Sequence, residues 1–182
     1  MVEDMENWQT GDMSAFELLF RQYEKLVFKN AYLITGRREE AEDVLQQVFI
    51  SVWKSRHTFD PDKGKLTTWL HRITVNECMK KHHKTEPVAE IFENMRLMDT
   101  SEEPGEALMR QEQYEKMMKA VNLLDTKHRS ILVLRYFNDL SYEDIAKAAE
   151  IPLGTVKSRI NNGLKQLREQ MAGQRITGGE CE

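Results

Sequence analysis

Apolar positions recur along most of the chain at intervals of three and four, the spacing of an amphipathic helix rather than the alternation of a strand. Phe16, Leu19, Phe20, Tyr23, Leu26 and Val27 set out a first helix, opened by a Ser14/Glu17 capping box and closed at Gly36. Ala41, Val44, Leu45, Val48, Phe49, Val52 and Trp53 form an unbroken stripe on a second helix. Glu39, Glu40, Glu42, Asp43, Gln46 and Gln47 fall outside that stripe and give it an acidic, amide-rich outer face. His57 to Lys65 reads as a loop, with Asp60-Pro61 as a turn start and Gly64 as a flexible point. Leu66, Trp69, Leu70 and Ile73 then begin a third helix, which runs into Lys80, Lys81, His82, His83 and Lys84.

Periodicity fades from Thr85 to Glu106, where seven acids face a single Arg and Pro87, Pro104 and Gly105 interrupt the chain. Beyond that stretch, Tyr114, Met117, Met118, Val121 and Leu124 mark a helix. Ile131, Leu132, Leu134 and Tyr136 mark another that stops near Asn138-Asp139. Ser141 and Asp144 open a short third helix carrying Ile145, Ala146 and Ala149, and Pro152 suits the first turn of a longer one with Val156, Ile160, Leu164 and Leu167. The expected fold class is all-α: two small helical domains, residues 1–85 and 108–172, joined by a flexible acidic linker at 86–107 and followed by a tail at 173–182.

The 182 residues suffice for two such units, and 40% hydrophobic against 31% charged residues describes a chain with core material and a water-facing surface. The longest uncharged apolar stretch, Val44 to Trp53, is far short of the roughly 20 residues of a membrane span, so no direct membrane insertion is expected. The acidic N-terminus has no basic and apolar leader pattern, and Cys78 and Cys181 make no disulfide framework; a cytoplasmic location is expected. The net charge of −4 hides alternating blocks. Residues 1–53 sum to −5, 54–84 to +5, 85–125 to −6 and 126–175 to +4. Two basic blocks on a mildly acidic chain are the footprint of two nucleic-acid contacts, because each cation set against a phosphate releases a counterion.

The second basic block has a defined architecture. A short capped helix, a tight connection and a helix bearing Lys157, Arg159, Lys165 and Arg168 with no acid among them is the layout of a helix-turn-helix. Ile145, Ile151, Val156 and Ile160 supply the wedge between its helices, and the small Ala146 permits close approach. Lys157, Ser158, Asn161, Asn162 and Lys165 are left to meet bases and phosphates. Such turns often use Gly to reach positive φ, and here Glu150 stands near that point.

These segments together resemble the extracytoplasmic-function group of bacterial sigma factors, over nearly the whole chain from about Asp12 to Arg168. The resemblance rests on Ala41-Glu-Asp-Val-Leu-Gln-Gln-Val-Phe49, on Phe59 through Thr68-Trp-Leu-His-Arg-Ile-Thr-Val-Asn76, and on Leu140-Ser-Tyr-Glu-Asp-Ile-Ala146 with Ile151-Pro-Leu-Gly-Thr-Val-Lys-Ser-Arg159. It implies an alternative sigma factor without catalysis of its own, which binds core RNA polymerase and directs promoter choice. Polymerase docking then falls to Asp43, Gln46, Gln47 and Phe49; the family more often has Glu where Gln47 stands. The minus-ten element, read as a single strand with one base flipped, falls to Phe59, Lys63, Lys65, Arg72, Asn76, Lys80 and Lys81. The minus-thirty-five element falls to Thr155, Lys157, Ser158, Arg159, Asn161, Asn162 and Lys165. The linker would thread polymerase channels as a polyanion mimic, and an anti-sigma factor would restrain the protein.

Two other readings stand beside this one. A free-standing helix-turn-helix regulator would share the C-terminal motif without docking on polymerase, although the N-terminal half shows no βα alternation for a receiver domain. Cys78, His71, His82 and His83 lie at helical spacings that could hold zinc, against which His82 and His83 are neighbours facing different ways. No phosphate-binding glycine loop, nucleophile elbow or His-Glu-x-x-His pattern occurs, so no enzyme, cofactor, metal or small-molecule substrate is expected.

Overall fold

The computed structural model describes residues 7–81 and 119–177, with side chains over 7–80 and 119–171. Every regular element among them is helical. A 3₁₀ turn, Asn7–Thr10, precedes α1 (Met13–Thr35) and α2 (Arg38–Lys54); a second 3₁₀ turn, Arg56–Thr58, and a loop lead to α3 (Leu66–Lys81). After a helical end at 119–122 come α4 (Thr126–Tyr136), α5 (Tyr142–Ala149) and α6 (Leu153–Thr177). The linker at 86–107 lies outside the described residues, as do Tyr114, Met117 and Met118. Helix α6 continues past residue 172 to Thr177, into the stretch expected to be tail.

The start of α1 differs from the sequence expectation. Its cap is Asp12, whose carboxylate accepts from the backbone N–H groups of Ser14 (2.8 Å) and Ala15 (3.3 Å). Ser14 is already helical, and Glu17 pairs with Arg21 at 2.6 Å instead of closing a box. Gly11, at φ 98°, turns the chain so that Asp12 can reach those donors. The other end is as expected: Gly36 takes φ 77° and donates its N–H to the Tyr32 carbonyl.

Helices α1, α2 and α3 pack on one another through Leu19, Val27, Val44, Val48, Val52 and Leu70, all buried. Trp8 reaches back from the N-terminal turn and is 2% exposed, its ring 5.9 Å from Trp69 and 6.3 Å from Phe59. In the second unit α4 lies against α6 and α5 against both, around Ile131, Leu134, Ile145, Val156 and Ile160. On α5 the fully buried small residue is Ala148, three positions after Ile145; Ala146 and Ala149 are only partly buried, which shifts the expected face. Gly163 is buried against Leu132, where a Cβ would meet Leu132 Cδ1 at 3.0 Å.

The two units pack together, α5 against α3 and α4 against α1. Arg129, 1% exposed, holds that junction: Nη1 donates to Ile34 O at 2.9 Å, and Nη2 donates to Leu124 O at 2.8 Å and to Asn122 O. Burial lowers its guanidinium pKa to about 10, which still leaves it charged at neutral pH. The cation is stabilised by these carbonyls, one of them at the end of α1, where the helix dipole is negative.

Candidate nucleic-acid and polymerase interfaces

The outer face of α2 carries Asp43, Gln46 and Gln47, all exposed, at the spacing that puts them on one side. Phe49 does not share that face. It is 5% exposed and packs between Phe20, at 4.6 Å between centroids, and Phe16, at 6.3 Å. One edge of Phe49 nonetheless lines a shallow groove of about 470 Å³ between α1 and α2, with Met13, Phe16, Gln46, Ile50 and Trp53. Met13 and Ile50 are exposed there, so an apolar trough runs beside the polar row. Periodicity assigns Phe16 and Trp53 to the core and does not single out Met13 or Ile50.

The loop before α3 is built from both ends. Gln9 donates from Nε2 to Phe59 O at 2.8 Å and to Arg56 O at 3.2 Å, and Asp60 turns the chain by accepting from the Asp62 N–H at 3.0 Å. Phe59 rests 5.6 Å from Trp69. Lys63 Nζ lies 2.8 Å from Asp60 Oδ2, and this bond raises the lysine pKa and lowers that of the carboxyl. Above the aromatic floor opens a cavity of about 410 Å³, lined by Phe59, Lys63, Lys65, Thr68, Trp69 and Arg72, with Asp144 and Lys147 of α5 across from them. The expected minus-ten residues Phe59, Lys63, Lys65 and Arg72 thus share one concave basic site.

Asn76 and Lys80 continue the α3 face of Arg72 at steps of four. Asn76 Nδ2 donates to Glu150 Oε2 at 3.4 Å, and Lys80 pairs with Glu77 at 2.8 Å. The side chain of Lys81 lies outside the described residues. Trp69, at 8% exposure, belongs mainly to the core, whereas Trp53 is half-buried under the Arg56 guanidinium at 4.6 Å. Cys78 is buried, and burial pushes its thiol pKa well above the ordinary range. His71 is engaged through Nδ1 by Asn30, and His82 and His83 lie outside the described residues. Among the described residues no three His, Cys, Asp or Glu side chains converge as metal ligands.

In the second unit Ser141 caps α5, its Oγ accepting from the Asp144 N–H at 3.1 Å and donating to the Asp144 carboxylate at 2.8 Å. Glu150 then takes φ 52° and ψ 43°, the left-handed conformation of the turn, and donates its N–H to Ala146 O. Pro152 stands at the cap of α6, its carbonyl accepting from Thr155 and Val156. Lys157, Ser158, Asn161, Asn162 and Lys165 are exposed on α6, while Thr155 and Arg159 are partly covered. Val156 and Ile160 hold the opposite side of the helix in the core.

The sequence from 19 to 86 matches the family model for Sigma-70 region 2, and 120–169 matches Sigma-70, region 4. The chain is 31% identical over 171 residues to the ECF RNA polymerase sigma factor SigW of Bacillus subtilis, covering 88% of this chain and 91% of that one. The chain belongs to the extracytoplasmic-function sigma factors. It is an alternative sigma factor, directing promoter-specific initiation by RNA polymerase. RNA polymerase sigma-H factor of Pseudomonas aeruginosa is 33% identical over 168 residues, 86% of each chain. Among solved structures, CnrH in complex with the cytosolic domain of CnrY superimposes with a TM-score of 0.63 at 21% identity, over 91% of this chain and 92% of that one. RpoE in complex with the anti-sigma factor NepR from Bartonella quintana gives 0.60 at 21%, over 86% and 96%. These likenesses establish a shared fold with sigma factors.

No helix among the described residues is long and apolar enough to cross a membrane. Trp8 and Gln9, which pin the loop before α3, and Lys147, which faces the cavity from α5, are not singled out by the sequence pattern. Trp8 stands alone in an acidic stretch without periodic neighbours, so no local signal marks it.

Proposed function

We propose that the three surfaces divide the work of initiation. The α2 row of Asp43, Gln46 and Gln47, with the trough edged by Phe49 and Ile50, docks on core polymerase. Exposed polar groups beside an apolar trough suit a partner helix carrying both characters. The cavity over Phe59 and Trp69 takes an unstacked base of the minus-ten strand, with Lys63, Lys65, Arg72, Asn76, Lys80 and Lys81 along its path. On α6, Lys157, Ser158, Asn161 and Asn162 meet the minus-thirty-five duplex, with Thr155, Arg159 and Lys165 at the flanking phosphates. The protein performs no catalytic step itself and works in the cytoplasm with polymerase. By likeness to RpoE, an anti-sigma factor is its restraining partner.

The observation that carries this reading is the convergence of Phe59, Lys63, Lys65 and Arg72 on one aromatic-floored basic cavity, drawn from a loop and a helix and fixed from behind by Trp8 and Gln9. A flipped base costs a few kcal/mol of unstacking, which an aromatic floor and amide or cationic contacts offset. The test is permanganate footprinting with holoenzyme. Asn76→Ala should form closed complexes normally and leave the minus-ten thymines unreactive. Normal thymine reactivity in that variant would remove Asn76 from the site.

A further inference from the structure

Between α2 and α3, the loop that carries Phe59, Lys63 and Lys65 is bonded mainly to itself. Thr58 N–H donates to Ser55 O at 2.8 Å and Lys63 N–H to Asp60 O at 3.1 Å, both local contacts. Among the described residues, the hydrogen bonds that tie this loop to a distant part of the chain come from one side chain. Gln9 Nε2 donates to Arg56 O at 3.2 Å and to Phe59 O at 2.8 Å, one N–H for each carbonyl, so a single amide bridges the two ends of the Arg56–Thr58 turn. Beside it Trp8, 2% exposed, backs the rings of Phe59 and Trp69. The turn that presents both side chains is folded on itself: Gly11, at φ 98°, donates its N–H to Trp8 O at 3.2 Å, and the Asp12 N–H donates to Asn7 O at 3.3 Å. Burial of Trp8 accounts for the place of this turn against the core but not for Gln9, whose bonds are made to the loop backbone.

We propose that Gln9 and Trp8 are positioning residues for promoter melting, the N-terminal turn holding the cavity over Phe59 and Trp69 in its base-accepting shape before the strand arrives. This role rests on the reading that the cavity takes an unstacked base of the minus-ten strand. A loop held only by local bonds samples many shapes, and ordering it on binding subtracts from affinity; a pre-formed floor removes that loss. Neither Trp8 nor Gln9 lines the cavity, so both act through the ring and carbonyl of Phe59 and touch no DNA there. Both precede the stretch from 19 to 86 that matches Sigma-70 region 2, so the part of the chain that shapes the base site extends beyond that match.

The test uses holoenzyme and a fluorescein-labelled single strand taken from the minus-ten region of a promoter at which it initiates. Gln9→Met keeps the length of the side chain and removes its N–H groups. It should weaken strand binding about tenfold, while binding to core polymerase and to a minus-thirty-five duplex changes by less than about twofold. Thr10→Ala is the control, since Thr10 Oγ1 donates within the turn to Asn7 O at 2.7 Å, and it should leave strand binding within about twofold. An abasic site walked along the strand separates positioning from general support. At the flipped position the gap between parent and Gln9→Met should close, because no base is left to place. Equal affinity of parent and Gln9→Met for the intact strand, or a gap that persists at every abasic position, would overturn the positioning role, and the abasic comparison decides even where the variant is less stable. Arg72→Ala reports on the cavity itself. If it weakens strand binding while Gln9→Met does not, the base site stands and the turn serves packing alone; if it leaves strand binding intact, the base site and the positioning role both fail.

Discussion

The side-chain amide of Asn30 lies 3.0 Å from Nδ1 of His71, and both residues are buried. The orientation of that amide follows from its other neighbour. Asn138 Nδ2 donates to Val133 O and to Asn30 Oδ1, so Asn30 presents Nδ2 to the imidazole. His71 therefore accepts at Nδ1 and is neutral, and burial lowers its pKa to about 4.

A pH dependence follows with a definite sign. Between pH 6.5 and about 4 the unfolded chain binds a proton that native His71 refuses, so stability is full above 6.5 and falls as pH drops through this window, by up to about 3 kcal/mol. Urea denaturation from pH 7.5 to 4.5 should show the parent losing stability faster than His71→Gln. Parallel profiles would mean that His71 does not titrate against folding.

Gly36 should not tolerate a side chain. Its φ of 77° disfavours any other residue, and a Cβ would meet Asn122 Oδ1 at 3.0 Å and Arg129 Nη1 at 3.2 Å. Gly36→Ala is expected to cost about 1–3 kcal/mol in urea denaturation, with an unchanged m-value. Gly64, where an added Cβ would find nothing within 4 Å, is the control, and Gly64→Ala should stay within about 0.5 kcal/mol.

Much of this architecture is legible in the sequence because helix stripes and caps are local. The α2 stripe, the closure of α1 at Gly36 and the Ser141 cap all lie within a few residues of the groups they organise. Phe49 belongs to its stripe as the periodicity predicts, and the aromatic cluster leaves only one edge of it on the groove beside the polar row, a split that spacing along the helix does not encode. Asp12 displaces Ser14 as a cap because Gly11 reorients the chain, a φ choice that composition does not announce. Arg129 counts in the sequence only as a charge, and its carbonyl partner Ile34 is 95 residues away. Glu150 meets Asn76 across 74 residues, a pairing that no local period encodes.

The docking face is testable by separating polar from apolar contributions. Asp43→Ala with Gln46→Ala should weaken core polymerase binding by about 1–3 kcal/mol, and Ile50→Glu in the neighbouring trough by a similar amount. Circular dichroism should be unchanged in both, since these side chains are exposed. Unaltered affinity in a core-binding titration would place the contact elsewhere.

On α6, position separates reading from holding. Lys157 lies in the first turns after Pro152, where a recognition helix meets the groove floor, and Lys165 lies two turns on, 3.9 Å from Glu169. Lys157→Ala should cost about 1–3 kcal/mol and flatten discrimination at one or two minus-thirty-five positions. Lys165→Ala should weaken all promoters alike and reduce the salt slope by about one counterion. Binding across a mutated promoter set at several salt concentrations distinguishes them.

The most direct measurement adds the purified chain to sigma-free core polymerase with fragmented genomic DNA and sequences the transcripts. A promoter-reading sigma factor yields a restricted set of start sites, each preceded by two shared elements near minus ten and minus thirty-five, with Asn76→Ala abolishing initiation at them and Lys157→Ala redistributing it. Transcripts indistinguishable from those of core polymerase alone would contradict the account.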